Sequence, residues 1–333
     1  MQTLLKTTRA YRLLQAETQN DRCSHAYLLQ MDDARNLRTV LKEFAKLFFH
    51  CAEPTTDKGR NLARRIDEEN FTDCLFYPDA DKKFVVDDAE RLTEESLLKP
   101  VEGDKKVFVV CDFAEANAAS QNKLLKLLEE PPENVVFLLG ATSSYPVLST
   151  VLSRVAKLEI PPFNEREIEG ALRRIYTQSN YTEKDFELVA ASCSGSLGTA
   201  QNMLEGGEYK TLLENAFSLC LATGATLPAL VKKIGETPYK KQLLFLLRLI
   251  YRDALVLKTQ NRTDTLLLRS QKERILEVAD KYLISSLVFA QKTITQAEKD
   301  IAFNAVFPQC LEITLSKILL QNAKDLRKNG KKL

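Results

Sequence analysis

Residues 105–154 read KKVFVVCDFAEANAASQNKLLKLLEEPPENVVFLLGATSSYPVLSTVLSR, and this stretch decides the fold. Val107–Cys111 is a short, β-branched apolar run, which is typical of a buried parallel strand. Asn117–Glu130 carries leucines on one face and lysines on the other, so it predicts an amphipathic helix that the following Pro-Pro pair ends. Val135–Leu139 is a second buried strand. Strand, helix and strand in this order predict a βαβ unit within a parallel sheet.

Composition and charge are those of an ordinary globular chain. Its 333 residues suffice for two or three domains. The net charge of +2 provides no global field for nucleic acid, so any DNA contact would come from a local patch. Seven scattered cysteines without a CxxC pair indicate a reducing, cytoplasmic setting. We expect neither a signal peptide nor a membrane span, because long apolar runs are absent from the sequence.

The helix-strand text LLKLLEEPPENVVFLL, followed by Ser153-Arg154, resembles the core of bacterial clamp-loader subunits of the AAA+ superfamily. That family continues with a cysteine, where this chain has Val155. Residues 22–28, RCSHAYL, likewise resemble the entry to the first core strand of the family. The resemblance implies an α/β fold: an AAA+-like parallel-sheet core, a small helical lid and a C-terminal all-α collar domain.

The same resemblance divides the chain into three parts. A degenerate AAA+ (P-loop NTPase-like) core is expected over residues 1–162, a three-helix lid over 163–206, and a helical collar that oligomerises over 207–333. Residues 243–250 are apolar nearly all round, which predicts a buried helix within the collar. The basic tail, residues 324–332, is typical of a solvated chain end.

The phosphate-binding loop of ATP-hydrolysing relatives has a degenerate counterpart in residues 30–38, QMDDARNLR. A P-loop needs glycines so that backbone N–H groups close around the phosphates, and a lysine that meets the β- and γ-phosphates. This segment begins at Gln30 and contains no glycine. Leu37 and Arg38 stand roughly where the lysine and the threonine would be. Asp32 and Asp33 would repel a triphosphate.

Two further nucleotide features also depart from the family pattern. The acidic pair that would hold Mg²⁺ and polarise a water reads Cys111-Asp112, and Gly198 replaces the nucleotide-sensing arginine of the lid. We interpret Cys111 as a small core residue rather than a nucleophile, because the sequence has only His25 and His50 as partners. We therefore expect no cofactor in this chain. The resemblance implies that ATP and Mg²⁺ are bound by a neighbouring subunit.

No metal site is expected either. Many clamp-loader subunits hold a structural zinc with four cysteines after the helix that corresponds to residues 38–50. Tetrahedral zinc needs close pairs of Cys or His ligands, whereas this chain offers His50, Cys51 and the remote Cys74. We interpret His50-Cys51 as a helix end that packs on the core, and residues 53–69 as a polar, charged segment.

The Ser153-Arg154 pair is retained, and the resemblance implies a role for it. In AAA+ rings such an arginine reaches the γ-phosphate bound by the neighbouring subunit, where its forked, permanent charge stabilises the transition state. The alternative is a surface arginine that pairs locally. The pattern as a whole implies a subunit that donates an arginine finger without hydrolysing ATP itself.

The partners that the resemblance implies are the gamma/tau and delta clamp-loader subunits and, indirectly, the sliding clamp and primed DNA. Two other functions stay open at this point. One is a clamp-loader ATPase of the gamma/tau type, and the other is a divergent AAA+-like scaffold protein outside the clamp loader. Measurable ATP binding favours the first, and failure to assemble with the ATPase subunit favours the second.

Overall fold

A computed structural model describes residues 1–80, 82–177, 181–260, 265–268 and 271–328. The chain divides into two compact units. The first contains residues 1–167 together with 196–199, and the second contains residues 168–195 together with the chain from 200 onward. The division into core, lid and collar stays a prediction. No helix within the described ranges is long and apolar enough to cross a bilayer.

A five-stranded parallel sheet forms the centre of the first unit. Its strands are β1 (Ala26–Met31), β2 (Cys74–Tyr77), β3 (Lys106–Val110), β4 (Val135–Ala141) and β5 (Ala156–Ile160). They pair in the order β2-β3-β4-β1-β5, and every pair is parallel. Strands β3 and β4 are neighbours, in register from Lys106 opposite Val135. The predicted βαβ unit is therefore confirmed.

Helices flank this sheet and begin at identifiable caps. They are α1 (Gln2–Leu5), α2 (Arg9–Gln19), α3 (Ala34–Phe48), α4 (Asp57–Asp67), α5 (Val86–Ser96), a 3₁₀ turn (Phe113–Glu115), α6 (Ala118–Glu129) and α7 (Ser149–Leu152). Asn117 caps α6, since its side chain accepts a hydrogen bond from the Ser120 N–H at 2.9 Å. The leucines of α6 then pack on the aromatic core, where the Phe108 and Phe137 rings stack with centroids 5.7 Å apart.

Two helices differ from the sequence-based expectation. Helix α3 begins at Ala34 rather than near residue 38, because the Asp33 side chain caps it. Helix α4 lies within the polar segment 53–69, where no helix was predicted. It is capped by Thr56 and buries only Ala63 and Ile66. So few apolar positions leave a weak periodic signal.

Beyond β5 the described chain contains helices and no strand. They are α8 (Glu165–Ile175), α9 (Glu183–Ser192), α10 (Leu197–Glu205), α11 (Glu208–Leu221), α12 (Leu227–Ile234), α13 (Lys240–Gln260), α14 (Lys272–Lys281), α15 (Ile284–Ala302) and α16 (Phe307–Lys328). The leucines of 243–250 are buried, as predicted. Of the basic tail, residues 329–332 lie outside the described residues. The predicted fold class, a parallel AAA+-like core followed by helices, is confirmed.

One buried carboxylate anchors the loop that leads into β3. Asp73 has no exposed surface, and its two oxygens accept hydrogen bonds from the backbone N–H groups of Val101, Glu102 and Gly103 at 2.7–2.8 Å. Hydrogen bonds to a charged acceptor are stronger than neutral ones, so this loop is tied firmly to the sheet.

We expect Asp73→Asn to destabilise the first unit by about 2 kcal/mol, because it places an amide donor against backbone donors and removes the charge. The melting temperature of that unit should fall by roughly 4–8 °C in differential scanning calorimetry. Asp104→Asn is the matched control, since Asp104 is exposed on the same loop. A similar melting temperature for the two variants would contradict the anchoring role of Asp73.

Candidate functional site

The residues predicted to form the site lie at two opposite edges of the sheet. In an open parallel sheet the strands share one carboxyl edge, and ligands bind outside it. Gln30 lies within β1 near this carboxyl edge, and Cys111-Asp112 follow β3 directly. Arg154 instead precedes β5, at the amino edge. Because β1 spans six residues, the two edges are about 20 Å apart.

A carboxylate of the chain itself caps the helix end that corresponds to the phosphate-binding site of the ATP-binding relatives. Asp33 is 3% exposed and is the N-cap of α3. Its Oδ1 accepts the Asn36 N–H at 3.1 Å, and its Oδ2 accepts the Asn36 side-chain amide at 2.9 Å. Helix N-termini bind phosphates because their N–H groups lack helical partners and carry the positive end of the dipole. In this chain Asp33 supplies an anion at that position.

A second segment binds the same carboxylate. The backbone N–H of Gly198, in the first turn of α10, donates to Asp33 Oδ2 at 2.8 Å. A Cβ atom at Gly198 would lie 2.1 Å from Asp33 Oδ1 and 2.8 Å from the Cβ of Arg35. The position predicted as the replaced lid arginine therefore has no room for a side chain in this arrangement.

The remaining P-loop positions are also occupied by structural contacts. Leu37 is buried. Arg38 Nε donates to Glu69 Oε1 at 2.7 Å, its Nη2 donates to the other carboxylate oxygen, and its Nη1 donates to the Pro78 carbonyl at 2.9 Å. Lys42 pairs with the same carboxylate at 2.8 Å. Burial acts to raise the pKa of Glu69, but the hydrogen bonds from Arg38 and Lys42 outweigh it and lower that pKa.

The residues after β3 keep one carboxylate in an unusual environment. Burial raises the pKa of Cys111 to about 11, so the thiol is protonated at neutral pH and resembles a core residue, as interpreted from the sequence. Asp112 adopts a left-handed backbone with φ of 48°, which costs energy for a residue with a side chain. Its Oδ1 is buried without a hydrogen-bond partner among the described residues, and burial raises its pKa. Mg²⁺ in nucleotide sites is bound through one or two carboxylates together with substrate phosphates, and Asp112 is the one carboxylate of the Cys111-Asp112 pair.

His50 and Cys51 close the end of helix α3. His50 has φ of 50°, and its N–H bonds to the Leu47 carbonyl at 3.2 Å, while the Cys51 N–H bonds to the Lys46 carbonyl at 3.0 Å. These two bonds form a Schellman motif. Cys51 is buried, and burial raises its pKa to about 11. Within the described ranges no group of three or more His, Cys, Asp or Glu residues is arranged to hold a metal ion.

Arg154 lies at the amino edge with its guanidinium held by its own chain. Its Nη1 donates to the Thr150 carbonyl at 2.7 Å and to Ser153 Oγ at 3.1 Å, and its Nη2 contacts Glu129 Oε1 at 2.5 Å. Val155, at the position of the family cysteine, is buried. An open depression of about 660 Å³ surrounds the guanidinium, with walls formed by His25, Leu128, Glu129, Ser153, Arg154 and Val155.

Several of these relationships were not predicted from the sequence. Asp33 was interpreted as a residue that repels phosphate, although an aspartate directly before an amphipathic run is also an N-cap signal. No local signal indicates the pairing of Arg38 with Glu69 or of Arg154 with Glu129. The two members of each pair are 31 and 25 positions apart in sequence.

The five-stranded parallel sheet, with flanking helices and a helical chain after it, is consistent with an AAA+-like fold. Residues 6–164 match the family model described as "DNA polymerase III, delta subunit". This segment is thus similar to DNA polymerase III subunits of the gamma, tau and delta-prime type, in agreement with the resemblance that its motifs carry.

Individual relatives show the same similarity. The chain is 32% identical over 182 residues to DNA polymerase III subunit tau/gamma of Haemophilus influenzae, which covers 54% of this chain and 26% of that protein. It is 31% identical over 170 residues to subunit delta-prime of Bacillus subtilis, which covers 49% of this chain and 50% of that protein. The chain thus spans half or less of the length of these relatives.

A structural comparison gives a weaker similarity. A DNA polymerase III gamma subunit-related protein from Thermotoga maritima aligns with 93% of this chain and 99% of its own, at 16% identity and a TM-score of 0.40. This level of similarity carries no information on function or partners.

We expect Gly198→Ala to destabilise the first unit by about 2 kcal/mol, because the new methyl group collides with the Asp33 carboxylate. Hydrogen-deuterium exchange at residue 198 should become faster, since the bond to Asp33 is lost. Gly170→Ala on α8 is the matched control. Its Cβ would meet only the tip of Arg174, 4.0 Å away. It should stabilise the protein by about 0.5–1 kcal/mol through helix propensity. Unchanged exchange at residue 198 would disprove the Asp33 contact.

Proposed function

We propose that this chain is a delta-prime-type subunit of the DNA polymerase III clamp loader. In this role it does not hydrolyse ATP itself, binds gamma/tau ATPase subunits, and donates Arg154 as an arginine finger in trans. The observation that carries the proposal is the position of Arg154 at the amino edge, about 20 Å from the degenerate nucleotide residues at the carboxyl edge. An arginine at that distance cannot reach a phosphate bound in its own pocket, but it is accessible from outside.

The contacts at the carboxyl edge support the loss of ATP hydrolysis. A bound triphosphate would have to displace Asp33 from three hydrogen bonds and would meet its negative charge. It would also meet Leu37 in place of a lysine, and an Arg38 that is already committed to Glu69. These substitutions remove both the phosphate cradle and the charge that neutralises it.

The proposed mechanism uses only the guanidinium of this chain. The neighbouring subunit holds ATP and Mg²⁺, and its bound water attacks the γ-phosphorus while the bond to the β-phosphate breaks. Arg154 lies beside the oxygens on which negative charge develops and stabilises that charge. ATP binding by the neighbours then drives opening of the sliding clamp and its loading onto primed DNA, which is held through phosphate contacts.

A gamma/tau-type ATPase is the second candidate, because the 32% identity to the Haemophilus influenzae tau/gamma subunit is as high as that to a delta-prime subunit. Isothermal titration of the isolated chain with Mg-ATP separates the two candidates. We expect no detectable heat of binding up to millimolar nucleotide. Binding in the micromolar range would favour the ATPase and contradict the proposal.

The finger is tested by ATP turnover in a complex reconstituted with gamma/tau and delta subunits, sliding clamp and primed DNA. Arg154→Ala should assemble normally and reduce turnover at its own interface about 10³-fold or more, the usual loss when an arginine finger is removed. Total ATP turnover should fall by the fraction that this interface contributes to it.

Arg166→Ala is the control for this experiment, because Arg166 is exposed on α8 and lies outside the proposed site. It should leave turnover unchanged. Normal turnover by Arg154→Ala would make Arg154 a structural residue. Absence of any assembly with the native chain would favour the scaffold protein instead.

A further inference from the structure

We propose that Glu129 is a positioning residue for Arg154. Its carboxylate pairs with the guanidinium in the unengaged state and competes for it with the triphosphate bound by the neighbouring subunit. The proposal rests on the finger function of Arg154. Glu129 is the last residue of α6 and belongs to the Leu-Glu-Glu-Pro-Pro sequence, which by itself indicates no role for it.

Contacts within the chain already use the guanidinium N–H groups of Arg154 that would bind phosphate. Arg binds phosphate with two N–H groups of its planar fork at once. Here one terminal nitrogen donates to the Thr150 carbonyl and to Ser153, and the other contacts Glu129 at 2.5 Å. Both terminal nitrogens therefore have partners within the chain. The Glu129 contact is the charged one, so it is the contact with which an anionic ligand competes most directly.

Glu129 is fixed in place by the helix that carries it. Leu127 and Leu128 anchor the end of α6 in the core, and the Pro-Pro pair prevents the helix from continuing. His25 Nε2 lies 3.0 Å from the Leu128 carbonyl, which further ties this helix end to the start of β1. The C-terminal end of a helix carries partial negative charge, which adds to the attraction for the guanidinium.

Exposure makes the pair easy to release. The Arg154 side chain is 32% exposed and that of Glu129 is 49% exposed, and both border the open depression. Ion pairs exposed to this degree are weak, and the bias they exert is no more than about five-fold. A multiply charged γ-phosphate that accepts two N–H groups is the stronger acceptor. Glu129 therefore delays engagement of the finger without preventing it.

The test measures ATP turnover against ATP concentration in the reconstituted complex with gamma/tau, delta, clamp and primed DNA. The quantity to follow is the Arg154-dependent turnover, obtained by subtracting the turnover of the Arg154→Ala complex. Glu129→Gln should lower the ATP concentration for half-maximal turnover two- to five-fold and leave the maximal rate unchanged, because only the competition is removed. The double variant with Arg154→Ala should match Arg154→Ala alone.

Glu130→Gln is the matched control. It makes the same charge change one residue further on, at an exposed carboxylate that forms no ion pair within the described ranges, and it should leave both parameters unchanged. A lower maximal rate for Glu129→Gln would overturn the proposal, since Glu129 would then orient Arg154 toward the phosphate rather than hold it away. An unchanged half-maximal concentration would overturn it as well. If the Arg154→Ala complex itself turns over normally, the finger function of Arg154 is disproved. That result differs from the two outcomes for Glu129→Gln that overturn only the role of Glu129.

Discussion

The hydrogen bonds of the buried Asp33 carboxylate determine which ligands the carboxyl edge of this sheet can bind. A charge removed from water must be paired or fully hydrogen-bonded, and Asp33 meets this requirement with donors from two segments far apart in sequence. One of these donors, the Asn36 N–H in the first turn of α3, is of the kind that binds phosphate at helix N-termini. The presence of Asp33 therefore stabilises the start of α3 and binds residues 196–199 to the rest of the first unit.

The parallel sheet separates Asp33 from Arg154, which lies at the other edge. All strands point the same way, so the loops after β1 and β3 meet at one edge, while the residues that precede β1 and β5 meet at the other. Substitutions at the carboxyl edge do not alter the contacts of Arg154, which come from α6 and α7. The two edges of this fold can therefore change independently, as the proposed function requires.

The parts predicted correctly are those with local causes. Buried apolar runs predict strands, and a Pro-Pro pair predicts the end of α6, because both effects act within a few residues. The predicted start of α3 was wrong because the two aspartates before it were interpreted as charges that repel phosphate, whereas Asp33 is the N-cap of the helix. Helix α4 was missed because only Ala63 and Ile66 face the core. The ion pairs of Arg38 and Arg154 depend on which segments the tertiary fold brings together, and single-sequence patterns do not contain that information.

The two arginines show how surroundings decide whether an ion pair is permanent. Arg38 is bonded at three points to Glu69 and a carbonyl, its pKa is raised by the carboxylate, and Lys42 holds the same carboxylate from another side. Breaking that set would leave several partly buried groups unpaired, which is costly. Arg154 also has three contacts, but its one charged partner is the half-exposed Glu129, and water can replace either member of that pair at little cost. The first arginine is thereby confined to structure, while the second remains available to another anion.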